Sequence, residues 1–125
     1  MAWCEVALAA SGTVTVEAAL LGTPMVTFYR VTGLSWAIGK LLVNVPFYSM
    51  VNLIAGKRVV AELMQGEMTG ERIAAETASL LDDAAAREKM KKELAVVSMR
   101  LAGKGTVDPI MQAAGEIERL VEVCK

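Results

Sequence analysis

The stretch Val6-Ala7-Leu8-Ala9-Ala10-Ser11-Gly12-Thr13-Val14-Thr15-Val16-Glu17-Ala18-Ala19-Leu20-Leu21-Gly22-Thr23-Pro24-Met25-Val26-Thr27-Phe28-Tyr29 decides the fold. Val6 to Ala10 reads as a short buried strand, followed by the turn Ser11-Gly12-Thr13. Val14 to Leu21 reads as a helix, closed by Gly22 and stopped by Pro24. Met25 to Tyr29 is β-branched and aromatic, hence a second strand. Strand, glycine turn, short helix and strand make a βαβ unit with parallel strands and a right-handed crossover. Two buried strands cannot stand alone as a sheet, so the pattern implies further partners. The chain opens directly on its first strand, and we expect it to be the C-terminal piece of a longer polypeptide.

Outward from this unit the composition divides. Charges are sparse as far as Gly56, and Leu34 to Gly56 carries only Lys40. That stretch is long enough to cross a bilayer, but Asn44, Pro46, Ser49 and Asn52 interrupt it. A helix over Leu34 to Leu42, a loop at Pro46 and a second short segment fit it better. Beyond Gly70 come Ala-rich, charged segments of helical period. Thr69 caps a helix from Gly70 to Leu81, and Asp82-Asp83 cap the next, with the stripe Met90, Leu94, Val97 and Leu101. After the hinge Gly103-Lys104-Gly105, Asp108-Pro109 opens a last helix with the stripe Ile110, Ala114, Ile117, Val121 and Cys124. Plain packing explains both stripes. The expected division is residues 1–68 as a β/α segment and 69–125 as helices completing the same domain.

Composition narrows the function. The 125 residues are 54% hydrophobic and 22% charged, with 13 Lys plus Arg against 14 Asp plus Glu. A net charge of −1 offers no basic field for nucleic acid. Histidine is absent, which removes the commonest general base and zinc ligand. The two cysteines, Cys4 and Cys124, lie at opposite ends, so no disulfide scaffold is expected and a cytoplasmic setting is.

Chemistry concentrates at the first turn. A tight corner from a parallel strand into a helix leaves backbone N–H groups unpaired, which with the helix dipole suit a phosphate or pyrophosphate. Gly12 lets a ligand approach, and Ser11 and Thr13 add hydroxyls; the alternative is that Ser11 or Thr13 merely caps the helix. Glu17 is not at a capping-box position relative to either. It lies one turn in, where a carboxylate can grip a ribose diol, or else simply faces solvent. Arg30, ending the second strand, can clamp phosphate or be an ordinary surface cation. Asn52 is the polar residue of Val51 to Ala55 and can bond a sugar or cap a helix. Lys57 and Arg58 could attract anionic headgroups.

These residues carry a resemblance. Val6 to Leu20, Gly22-Thr23-Pro24-Met25-Val26 and Tyr29-Arg30, then Ser49, Asn52-Leu53, Ala55-Gly56, Val60, Glu62-Leu63 and Gln65, resemble the lipid-A-disaccharide synthase family. The resemblance spans most of Ala2 to Leu81. It implies two Rossmann-like domains of GT-B type, of which this chain would be the end of the second. It implies transfer of 2,3-diacylglucosamine from its UDP carrier to 2,3-diacylglucosamine 1-phosphate, giving lipid A disaccharide 1-phosphate and UDP. Ser11, Gly12 and Thr13 would then hold the pyrophosphate, Glu17 the ribose, and Arg30 and Asn52 would lie near the donor sugar. No metal or other cofactor is implied, and no catalytic base is identifiable in this chain, which alone is expected not to turn over. The family also implies peripheral attachment to the inner membrane of a Gram-negative bacterium, and the last helix could exchange between subunits of a homodimer. Val51 and Ala61 stand where the family has proline, which loosens the loop around Asn52. Two other readings remain: another UDP-sugar enzyme of this architecture, such as the peptidoglycan-precursor N-acetylglucosaminyltransferase or an epimerase, or a helical membrane- or partner-binding module without a nucleotide site.

Overall fold

The structure is a computed structural model, and it describes residues 3–33, 36, 45–102 and 108–123. Apart from Trp36, the helix expected over Leu34 to Leu42 lies outside these residues, as do the Gly103-Lys104-Gly105 hinge and Cys124.

The βαβ unit forms as its local chemistry dictates. Strand β1 (Ala7–Ala10) leads through Ser11 and Gly12 into helix α1 (Thr13–Leu20), and β2 (Met25–Tyr29) returns parallel to β1 with Ala7 opposite Met25 and Ala10 opposite Phe28. Gly22 ends α1 at φ 66. Its N–H bonds the Ala19 carbonyl at 3.0 Å, while Thr23 N–H reaches back to Ala18 at 2.9 Å. This closure needs a left-handed residue, which glycine adopts without strain.

A third strand, β3 (Ala61–Met64), follows the short helix α2 (Met50–Ala55) and pairs parallel to β2, giving the order β1-β2-β3. This strand corrects the sequence reading, which placed only a boundary between Gly56 and Gly70. Ala, Glu, Leu and Met favour helix locally. Here pairing with β2 and burial of Leu63 override that preference. A single turn of 3₁₀ helix, Gln65–Glu67, then leads to α3 (Gly70–Asp82).

Helices cover both sheet faces, as a parallel sheet requires. On one face Ala7, Met25 and Val60 pack with Ala18 and Ala19 of α1, Val51 of α2, and Leu94 and Val97 of α4 (Ala84–Ala102). On the other, Val26 and Leu63 pack with Leu80 of α3 and the half-buried Ile73 and Met90. Met25 and Val26 fall on opposite faces because strand side chains alternate. The expected stripe of α4 is thus inward at Leu94 and Val97, both fully buried, while Leu101 is exposed. Arg100 fastens the far end of α4, donating to the carbonyls of Ile54 and Ala55 at 2.7 and 2.9 Å. Together these elements are mixed α/β, a small parallel sheet with a helical second half.

The last helix, α5 (Pro109–Val123), corrects a further expectation. Its stripe does not pack: Ile110 is 76% exposed, Ile117 62% and Val121 54%. An amphipathic pattern states that a face wants cover but not which surface supplies it.

The caps match the sequence reading. Thr69 Oγ1 accepts the Arg72 N–H at 3.2 Å, and Asp83 Oδ1 accepts that of Ala86 at 2.9 Å. Glu71, in the first turn of α3, has its carboxyl held below the usual carboxylate range by its own backbone N–H and then by the Thr69 hydroxyl. Thr69→Ala removes the cap on the Arg72 N–H, and the lost cap is expected to cost about 1 kcal/mol, read as a lower midpoint in urea unfolding followed by circular dichroism.

Candidate functional site

All three strands run the same way, so their carboxyl ends share one edge. Ser11 and Gly12 leave β1 there, Arg30 leaves β2, and Gln65 leaves β3. The Ser11 N–H donates to the Phe28 carbonyl at 2.8 Å, which seats the first corner beside the end of β2. Crevices on this edge are where open α/β sheets take ligands.

Helix α1 begins at this corner without a side-chain cap. Gly12 is its N-cap, and its carbonyl accepts the Thr15 N–H at 3.1 Å and the Thr15 hydroxyl at 2.6 Å. Among the described residues no acceptor meets the N–H groups of Gly12, Thr13 or Val14. Neither Ser11 nor Thr13 caps the helix, so the simpler alternative for this motif is not the arrangement found. No described residue lies within 4 Å of where a Gly12 side chain would begin, so the backbone is uncrowded at this point. Unpaired amides at the positive end of a helix dipole form an anion site.

Thr15, Ala18 and Ala19 form the buried face of α1. Thr13 and Glu17 are both exposed, and four residues apart they share the opposite face. Helical side chains lean towards the N-terminus, so the Glu17 carboxylate lies on the route back to the corner. Arg30 is exposed at the end of β2, and no acid pairs with it among the described residues.

Asn52 has a different task from the one expected of it. It is fully buried within α2 and caps nothing. Its Oδ1 accepts the N–H groups of Val59 and Val60 at 2.7 and 3.0 Å. Its Nδ2 donates to the Val60 carbonyl at 3.0 Å and to Glu62 Oε1 at 2.8 Å. Two acceptor and two donor bonds exhaust a side-chain amide, so no polar atom is left for a sugar. Asn52 ties the entrance of β3 to α2.

The residue that joins this tie to the corner is Glu62. Its Oε1 also accepts the Ser49 N–H at 2.8 Å, and its Oε2 accepts that of Tyr48 at 3.1 Å. The Tyr48 carbonyl in turn accepts the Ser11 hydroxyl at 3.2 Å. A continuous polar chain therefore runs from Val59 and Val60 through Asn52 and Glu62 to Tyr48 and Ser11. Sequence reasoning gave Glu62 no role. The available signal was a lone carboxylate inside a four-residue apolar strand, a placement that demands hydrogen-bond partners. Beside this chain Tyr48 meets Trp36, their ring centroids 5.2 Å apart and tilted by 41°. Both rings line a cavity of about 360 Å³ with Phe47, Met64 and Arg58.

The sequence profile described as lipid-A-disaccharide synthetase matches residues 1–108. The lipid-A-disaccharide synthase of Solibacter usitatus is 66% identical over 104 residues, covering 83% of this chain and 27% of that protein. Those of Koribacter versatilis and Myxococcus xanthus are 44% and 42% identical over 108 and 113 residues, covering 86% and 90% of this chain. The chain thus spans only 27% to 30% of the length of these relatives.

Proposed function

Because the chain belongs to the lipid-A-disaccharide synthase family, we propose that it forms the donor-nucleotide part of a glycosyltransferase. In this reading the transferred group is 2,3-diacylglucosamine, carried by UDP and passed to 2,3-diacylglucosamine 1-phosphate. A glycosidic bond forms to the acceptor hydroxyl, the sugar–diphosphate bond breaks, and UDP leaves with the bonding pair. The observation that carries the reading is the uncapped corner after β1, with three amides that meet no acceptor among the described residues and Glu17 exposed one turn on. Gly12, Thr13 and Val14 amides, aided by the Thr13 hydroxyl, take the diphosphate, while Ser11, its hydroxyl given to the Tyr48 carbonyl and its N–H to the Phe28 carbonyl, braces the corner and does not hold the ligand as the sequence led us to expect. Glu17 takes the ribose hydroxyls, and Arg30 neutralises charge on the departing diphosphate. Asn52 acts beneath them, holding Glu62. Acceptor site and catalytic base belong to the remainder of the family's length, so this chain alone is expected to bind UDP without turnover.

The same reading places the protein on the cytoplasmic side of the inner membrane, held peripherally. It is supported by exposed Met50 and Leu53 on α2 beside exposed Lys57 and Arg58. The uncovered stripe of α5 is the surface on which subunits of a homodimer would meet.

Glu17→Ala is expected to weaken UDP binding roughly tenfold or more, the worth of a charge-assisted pair of bonds to a diol. Titration calorimetry checks this, with folding stability staying within about 0.5 kcal/mol because the residue is exposed. An unchanged dissociation constant would remove the ribose role.

A further inference from the structure

Ser49 is fully buried, and its hydroxyl has no hydrogen-bond partner among the described residues. It stands where a serine ordinarily caps a helix, yet makes no capping bond to α2. Buried hydroxyls are nearly always paired, and an exception calls for a reason. The backbone cannot slide to find Ser49 an acceptor, because Glu62 grips the N–H groups of both Tyr48 and Ser49 while Ser11 grips the Tyr48 carbonyl. The unpaired hydroxyl is therefore pinned on a segment fastened to the Ser11-Gly12 corner.

A second orphan lies along the same edge. Among the described residues the buried Gln65 amide nitrogen at the end of β3 has no partner, and Gln65 has φ 51, the one positive value outside glycine. Unpaired polar atoms and left-handed backbone kept together at strand ends are what a ligand-recognising edge retains against its own stability.

We propose that Ser49 is a specificity-determining residue of the donor site, its hydroxyl pairing with the sugar ring of a nucleoside-diphosphate sugar and not with the diphosphate. The proposal rests on the nucleotide reading above. A neutral hydroxyl both donates and accepts, matching a ring hydroxyl, and adds no charge for a phosphate. The diphosphate lies at the corner amides, and Ser49 sits one residue beyond the carbonyl that Ser11 holds, where the next unit of the ligand arrives. Tyr48 and Met50 on either side are exposed, so the segment that carries the hydroxyl lies at the protein surface.

The test is titration calorimetry of the 125-residue chain, wild type and Ser49→Ala, with UDP and with UDP-N-acetylglucosamine, whose ring keeps free hydroxyls at C4 and C6. Ser49→Ala is expected to weaken UDP-N-acetylglucosamine roughly tenfold and to leave UDP within twofold. The melting temperature should stay level or rise, since the unliganded protein loses only an unpaired group. Equal effects on both ligands, or none, overturn the Ser49 assignment and leave the nucleotide reading intact. A lower melting temperature with unchanged ligand preference shows that the hydroxyl serves the fold, and overturns it too. Failure of the wild type to bind UDP at all removes the nucleotide reading and this proposal with it.

Discussion

Asn52→Ala should destabilise the domain by about 3–5 kcal/mol, a large share of what holds a small domain folded. The substitution deletes four hydrogen bonds and takes the Asn52 partner from the Val59 N–H, the Val60 N–H and the Val60 carbonyl. Val59 and Val60 are buried, so water cannot replace the amide without opening the sheet edge. Each stranded group costs about 1–3 kcal/mol, reduced where the loop relaxes. Urea unfolding reads the loss as a lower midpoint with unchanged slope. Asn52→Asp makes a sharper control. The carboxylate keeps the two acceptor bonds but turns an acceptor on the Val60 carbonyl and on Glu62 Oε1, where a donor stood. Protonation restores the donor, so the folded-state pKa of that carboxyl rises above its unfolded value. The stability linked to this group is then full at low pH and lost as pH climbs through the raised pKa. The Asp variant should therefore be more stable at pH 5 than at pH 8, and the Ala variant should show no such added slope. A mild effect of Asn52→Ala would mean that β3 holds without the tie.

What the sequence disclosed and what it hid follow one division. The run from Val6 to Tyr29 was legible because its determinants are local. β-Branched and aromatic residues make the second strand, Gly22 supplies a left-handed closure, and Pro24 forbids continuation. The same run places Ser11, Gly12, Thr13 and Glu17 at one end of α1 through chain geometry alone. β3 was hidden because its four residues prefer helix, and its state is decided by β2 and by the bonds of Asn52 to Val59 and Val60. Asn52 itself showed only as a polar residue in an apolar run, and contacts seven to ten residues away settle its use. Glu62 was hidden for the same reason: Tyr48 and Ser49 reach it across α2. The exposed stripe on α5 belongs here too, because periodicity fixes a face and says nothing of what covers it.

Glu62→Ala tests whether the tie and the corner are one unit. The carboxylate accepts three hydrogen bonds, from Tyr48 N–H, Ser49 N–H and Asn52 Nδ2. It is half-buried, so water can satisfy part of what is lost, and about 2–4 kcal/mol of destabilisation is expected. The more telling quantity is the double-mutant cycle with Asn52→Ala. Once Glu62 is gone, Asn52 has one bond fewer to lose. Once Asn52 is gone, the Ser49 end of Glu62 has lost the neighbour that orients it. The double variant should therefore cost about 1–2 kcal/mol less than the sum of the two singles. Strict additivity would mean that the 2.8 Å contact between them carries no energy. The cycle also bears on binding. Glu62→Ala releases Tyr48 and Ser49, and with them the carbonyl that holds Ser11, so the corner loses its brace although no residue assigned to UDP is replaced. UDP affinity should fall several-fold in Glu62→Ala, while Lys57→Ala, which removes a surface ion pair with Glu93 at 2.9 Å, should leave it unchanged, because exposed pairs contribute little. If UDP affinity survives the loss of Glu62, the corner is rigid on its own, and the polar chain serves only to hold β3.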